Sequence, residues 1–142
     1  MNAPTVTIVD AGRSSLPATR AAFARLGLRV ALTRDATDVA GAHYLVLTGV
    51  GGFGPAMTRL AAAGLLEPLR DRIRSLRPTL AIGLGFQLLA RHSEESPGLL
   101  GLCTWNAVIE RIQGSVCVPQ VGWNRIEAPK GAWTAHVVSI GR

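Results

Sequence analysis

Short apolar runs alternate along the chain with stretches whose apolar residues recur every three to four positions, and this alternation sets out the predicted elements. Val6-Thr7-Ile8-Val9, followed by Asp10-Ala11-Gly12, reads as a first strand and its turn. From Ser15 to Leu26 the apolar positions Leu16, Ala18, Ala22, Phe23 and Leu26 predict an amphipathic helix. Ser14 or Ser15 caps its start, Pro17 fits an early helical position, and Gly27 closes it. Leu28 to Leu32 predicts a second strand, Asp35 to Ala40 a short helical turn or loop, and His43 to Leu47 a third strand. Pro55 then opens a long helical stretch with Ala56, Leu60, Ala63, Leu66, Leu69, Ile73 and Leu76 on its buried face. Gly64 bends it or splits it into two helices, and Pro78 ends it. Thr79 to Ile82 predicts a fourth strand, which meets a tight glycine turn and then an apolar helical pattern through Leu89.

Strands alternating with helices in this order imply an α/β fold with a parallel sheet covered on both faces. Catalytic groups in such sheets sit at the carboxyl ends of the strands, where both glycine turns of this chain fall. After Arg91 the pattern changes. His92 to Gly98 is polar and turn-rich, and Leu99 to Arg111, Ser115 to Gln120, Trp123 to Glu127 and Trp133 to Ile140 read as short strands. Their expected arrangement is an antiparallel extension of the sheet. No linker or repeat interrupts residues 1–142, so one domain is expected.

Composition narrows the class. With 142 residues, 48% apolar and 17% charged, the chain can bury a core without metal or disulfides. Its longest apolar run, Thr79 to Ala90, is too short to span a bilayer, and Met1-Asn2-Ala3-Pro4 lacks the start of a signal peptide. No membrane association is expected, and the cytoplasm is the default location. The net charge of +6 comes almost wholly from arginines spread along the chain, Lys130 being the one lysine. Their single cluster, Arg70, Arg72, Arg74 and Arg77, reads as a solvated helix face rather than a nucleic-acid site, since no reading motif accompanies it. Cys103 and Cys117 are far apart, and His43, His92 and His136 are scattered, so neither a metal site nor a cofactor is expected. Both cysteines are expected to be buried thiols.

Candidate chemistry lies in the two glycine turns. Ala81-Ile82-Gly83-Leu84-Gly85 has the layout of a nucleophile elbow, a sharp strand-to-helix turn, but Gly83 occupies the position of the reactive side chain. Gly49-Val50-Gly51-Gly52-Phe53-Gly54 satisfies G-x-G-x-x-G between a strand and a helix. As a dinucleotide fingerprint it fails in its second half. The next strand ends at Gly83 rather than at an acid, Asp71 falls inside the helix, and the motif follows the third strand instead of the first. Two readings stay open on the residues alone: backbone amides that stabilise an oxyanion beside the elbow, or a tight loop.

Four segments together resemble the glutaminase subunits of imidazole glycerol phosphate synthase, class I (triad-type) glutamine amidotransferases of histidine biosynthesis. Asp10-Ala11-Gly12-Arg13-Ser14-Ser15-Leu16 is similar to the family's D-Y-G-x-G-N-L. Thr48-Gly49-Val50-Gly51-Gly52-Phe53-Gly54-Pro55-Ala56-Met57 is similar to P-G-V-G-x-F-x-x-A-M. Ala81-Ile82-Gly83-Leu84-Gly85-Phe86-Gln87-Leu88-Leu89 and the following Arg91-His92-Ser93-Glu94-Glu95-Ser96 resemble G-I-C-L-G-M-Q-L-L and its R-S-E-E segment. Pro119-Gln120-Val121-Gly122-Trp123-Asn124 resembles P-H-M-G-W-N. The matches run in order from the first strand to about Glu127.

The resemblance implies a flavodoxin-like fold and a mechanism. A cysteine at the elbow attacks the side-chain amide of glutamine, assisted by a His and a Glu from a later segment. Gly49, Val50 and Gly51 would form the oxyanion hole, and Gln87 would contact the substrate. Ammonia would pass to a cyclase barrel subunit, near which Pro119, Gly122, Trp123 and Asn124 would lie. This chain departs from the pattern at Gly83, and no H-x-E counterpart occurs before Arg142, so an incomplete domain with no glutaminase activity is expected. Glycine at the elbow also relieves a backbone strain of about 1–3 kcal/mol. What remains is docking to the cyclase; the alternatives are a non-functional truncated product or a nucleotide-binding module on Gly49 to Gly54.

Overall fold

The computed structural model describes residues 3–12, 16–115, 117–119 and 122. Residues 1–110 and 111–142 group into two compact units. The first holds every regular element found among the described residues, in the order β1 (Thr5–Asp10), α1 (Leu16–Arg25), β2 (Arg29–Thr33), α2 (Ala36–Gly41), β3 (Tyr44–Thr48), α3 (Phe53–Ala62), α4 (Leu66–Arg74), β4 (Thr79–Ala81), α5 (Leu84–Gln87), β5 (His92–Ser93) and β6 (Val108–Ile109). The described residues of the second unit form no helix or strand.

Residues alternate across the pleat, and each face of the sheet packs a different layer. The order is β2-β1-β3-β4, and every pair is parallel. Ile8 and Val46 point to one face with Val6, where Leu16 and Phe23 of α1 lie against them. Val9, Leu45 and Leu47 point to the other, which is the larger core, with Val39 of α2, Phe53, Ala56, Met57 and Leu60 of α3, and Leu69 of α4. On the same face, a cleft of about 440 Å³ lined by Val6, Phe23, Tyr44, Val46 and Leu80 stays open. Among the described residues, no helix is long and apolar enough to cross a membrane.

Local chemistry explains the boundaries. Asp35 caps α2 by accepting from the Thr37 and Asp38 backbone N–H groups, and those two bonds hold its carboxyl below the ordinary carboxylate value. Gly64, with φ of 68°, separates α3 from α4. Pro55 sits in the first turn of α3, where its missing N–H leaves no helical bond unmade.

Several expectations are corrected. Only Leu16 and Phe23 of the predicted α1 stripe pack on the sheet; Ala18, Ala22 and Leu26 are exposed. Leu76 is not on a buried face: the helix ends at Arg74, Leu76 turns left-handed with φ of 55°, and it is 90% exposed. Ala63, in the break between helices, is exposed too. The expected antiparallel extension is absent where the chain is described. Within Leu99 to Arg111 only Val108 and Ile109 are a strand, parallel to β5 in a separate two-stranded sheet. The reason is that the intervening donors go elsewhere. The N–H groups of Leu102, Cys103, Thr104 and Trp105 satisfy the carbonyls of Leu88, Ala90 and Leu89 just beyond α5. Ser115, Val118 and Pro119 form bends and Cys117 is irregular rather than strand, with Gly114 left-handed before them and Pro119 unable to donate. The strands expected at Trp123 to Glu127 and Trp133 to Ile140 lie outside the described residues.

The arginine cluster is corrected as well. Arg72 is buried, 2% exposed, and its guanidinium donates to five acceptors. These are Thr79 Oγ1 (3.0 Å) and the carbonyls of Val39 (3.2 Å), Ala42 (2.7 Å), His43 (3.2 Å) and Pro78 (2.8 Å). Arg77 donates to the Ala40 and Ala42 carbonyls, and Arg70 to those of Gly101 and Leu102. Burial, then the like charge of Arg77, lowers the Arg72 pKa from its ordinary value. Arg72 and Arg77 thus bind the chain's own carbonyls where α4 meets the α2–β3 and α4–β4 connections, Arg70 binds those of the segment after α5, and Arg74 is exposed as expected; the planar five-donor fork suits that task. Arg72→Met should cost about 3 kcal/mol, because one buried and three part-buried carbonyls lose a charged donor, and Arg72→Lys should cost less. Urea denaturation of both variants checks this; equal stability for Arg72→Met and the unsubstituted chain would contradict it.

Candidate functional site

Three strands end together and bring their turns into backbone contact. Ala11 N–H, just after β1, donates to Thr48 O at the end of β3 (2.8 Å), and Ile82 N–H, just after β4, donates to Leu47 O (2.9 Å). Beyond these bonds the main chains meet with no side chain between them. A Cβ at Gly12 would overlap the Val50 carbonyl, and one at Gly49 would lie 2.7 Å from Gly12 N. A Cβ at Gly85 would overlap the Leu47 carbonyl and sit 3.0 Å from Thr48 N.

The elbow itself is the joint between β4 and α5. Gly83 has φ of 58° and ψ of −122°, a conformation that L side chains rarely adopt. Its carbonyl accepts from Phe86 N–H (3.0 Å) and Gln87 N–H (3.1 Å), which starts α5 within one residue of the strand. Leu84 N–H donates to Gly49 O (3.3 Å), so the elbow is hydrogen-bonded to the other glycine turn. Gly83 is exposed, and a Cβ built on it would meet only Gly49 O, at an ordinary 3.5 Å. The turn has room for a side chain and carries none.

The sequence-predicted positions divide accordingly. Gly83 and Gly49 are neighbours across the Leu84–Gly49 bond; Gly49 is buried, while Val50 and Gly51 beyond it are exposed, Gly51 with φ of 111°. Gln87 is half-buried in the first turn after the elbow. Pro119 and Gly122 belong to the second unit and are exposed there, whereas Trp123 and Asn124 lie outside the described residues. Cys103 and Cys117 are exposed, against the expectation of buried thiols. Cys103 sits with φ of 54° on the irregular segment that wraps α5, its thiol 3.5 Å from Gly101 O and 3.7 Å from Arg91 O. Among the described residues no cluster of three or more His, Cys, Asp or Glu side chains could hold a metal.

Sequence reasoning gave no role to Arg59, Glu95 or Ser96, and the structure brings all three to these turns. Arg59 donates through Nη2 (3.1 Å) and Nε (3.4 Å) to Ala11 O, tying α3 to the end of β1. Glu95 Oε2 accepts from Phe53 N–H (3.4 Å) and Ser96 Oγ from Gly54 N–H (3.0 Å) at the start of α3. The available signal was the lack of a local cap: α3 begins Gly52-Phe53-Gly54, with no Ser, Thr, Asp or Asn in place.

A parallel sheet wound on both faces, with a glycine elbow opening a helix beside a second glycine turn, is the flavodoxin-like fold of the class I glutamine amidotransferases. No family profile matches the chain. Individual relatives do. It is 38% identical over 122 residues to the imidazole glycerol phosphate synthase subunit HisH of Symbiobacterium thermophilum, matching 86% of this chain and 58% of the relative. With the HisH subunit of Xanthomonas axonopodis pv. citri the identity is 40% over 124 residues, 85% of this chain and 60% of the relative. For that of Xylella fastidiosa it is 39% over 138 residues, 89% and 68%. The chain belongs to the family of imidazole glycerol phosphate synthase subunit HisH. It spans about 60% of the length of the first relatives it matches.

The geometry predicts unequal costs at two glycines two residues apart. Gly83→Ala should fold and lose about 1–2 kcal/mol, from its backbone angles alone. Gly85→Ala should lose about 3 kcal/mol or more, because backbone must move. Urea midpoints measure both; a smaller loss for Gly85→Ala than for Gly83→Ala would refute the close packing.

Proposed function

We propose that this chain is the glutaminase-type subunit of an imidazole glycerol phosphate synthase that has kept the amidotransferase scaffold and lost glutamine hydrolysis. One observation carries the reading: residue 83, at the joint of β4 and α5, is glycine. Hydrolysis by this class needs a nucleophile there to form a covalent intermediate with the glutamine side chain, and a residue without a side chain cannot form one. Nucleophile loss of this kind lowers turnover by about 10⁶-fold in the best-measured hydrolase case. Gly49, Val50 and Gly51 are in the position of the oxyanion amides and Gln87 in that of a substrate contact, so the groups that bind outlast the group that reacts.

The remaining role is structural. The chain docks on the cyclase barrel subunit through the segment that includes Pro119, Gly122, Trp123 and Asn124, and the cyclase then uses free ammonia. No cofactor, metal or nucleic acid enters this role, and its place is the cytoplasm. Ammonia release from glutamine by the purified chain, alone and mixed with the cyclase, should equal the buffer background. Release well above background in either mixture refutes the inactive assignment. Co-elution with the cyclase on gel filtration supports docking, and separate elution at micromolar concentration refutes it.

A further inference from the structure

The glycine turn after β3 is held from outside itself. Gly52, the residue before α3, has no side chain to cap the helix, and Phe53 and Gly54 carry two of the N–H groups that a helix cannot satisfy internally. Both are taken up by residues 42 positions later in the sequence: Phe53 N–H by Glu95 Oε2 and Gly54 N–H by Ser96 Oγ. The fit is close. A Cβ at Gly52 would lie 2.8 Å from Glu95 Oε1, and one at Gly54 would lie 2.8 Å from Ser96 Oγ and 3.4 Å from Ser96 Cβ.

The two cap residues are themselves fixed. Glu95 N–H donates to Ser93 Oγ (3.2 Å), and Ser96 N–H to Ser93 O (3.0 Å), while Ser93 is buried and pairs in β5 with Ile109. Glu94 N–H donates to Ile109 O (2.9 Å). A carboxylate over the first turn of α3 is also favoured by the helix dipole, since α3 runs from Phe53 to Ala62.

We propose that Glu95 and Ser96 are positioning residues: a latch that fixes the Gly49–Gly54 turn, and with it the amides beside the elbow, from the segment that follows the elbow. The elbow and the turn are then set twice, directly by the Leu84–Gly49 bond and at a distance by the latch. The latch does not rest on the proposed function: the experiment reads the turn itself and is independent of glutaminase activity.

Residue-resolved amide hydrogen exchange on the full chain tests it, with Ser96→Ala, Glu95→Gln and Gly52→Ala as variants and Ser96→Thr as rescue. Gly52→Ala changes neither cap residue. The backbone of Gly52, with φ of −84° and ψ of 146°, accepts alanine, so the substitution acts by displacing the Glu95 carboxylate. Ser96→Ala and Gly52→Ala are each expected to raise exchange at Phe53 and Gly54 roughly tenfold, with β1 and β3 amides unchanged. Glu95→Gln, which keeps an acceptor but loses the charge, should give a smaller rise, and Ser96→Thr should restore the original rates. Unchanged exchange at Phe53 and Gly54, or uniform acceleration across β1 and β3 as well, would overturn the latch.

Discussion

Main chain packs directly on main chain where β1, β3 and β4 end, and the rest of the site depends on that contact. The Gly12 and Gly49 backbones touch, Gly85 lies against the Leu47 carbonyl, and Leu84 N–H reaches Gly49 O. Side chains of any size would hold these turns apart by at least the width of a methyl group. Parallel pairing of the three strands brings the turns near each other, and the glycines let them close. The elbow conformation at Gly83 is one result of this closure. The short α5 has a separate cause: its trailing carbonyls are claimed at once by residues 102–105.

A second layer of interactions fixes this arrangement from behind, and arginine supplies much of it. Arg72 ties β4 and the α2–β3 connection to α4, Arg59 ties α3 to the end of β1, and Arg70 ties α4 to the segment that wraps α5. In each case a guanidinium meets backbone carbonyls at places where connections leave regular structure. An excess of arginine over acid therefore reflects, at these three positions, internal hydrogen bonding rather than a surface for polyanions.

Much of the fold could be read from the chain because strand and helix periods are strong there. Each of the four parallel strands lies within about one residue of its expected bounds, and the break at Gly64 is where glycine in a helical pattern places it. Where reading failed, the deciding force was tertiary. Leu76 looked like the next step of an apolar stripe, but the helix had already ended. The residues from Leu99 to Arg111 looked like a strand by composition, but the donors of Leu102 to Trp105 cap the end of α5. Arg72 looked solvated because its acceptors are carbonyls, which no sequence pattern marks. At the site, Gly83 and the turn at Gly49 were legible as a pair, whereas the caps at Glu95 and Ser96 depend on a contact across 42 positions.

The elbow at Gly83 is formed and open, with no side chain at its centre. The most direct measurement introduces one. In a chain carrying Cys103→Ser and Cys117→Ser, the thiol created by Gly83→Cys is titrated with iodoacetamide and located by mass spectrometry. Stoichiometric alkylation at position 83 of a folded protein is the result this structure predicts, since Gly83 is exposed and a Cβ there meets only Gly49 O at 3.5 Å. A thiol that is protected while the protein stays folded, or one that reacts only because the variant has unfolded, would contradict it.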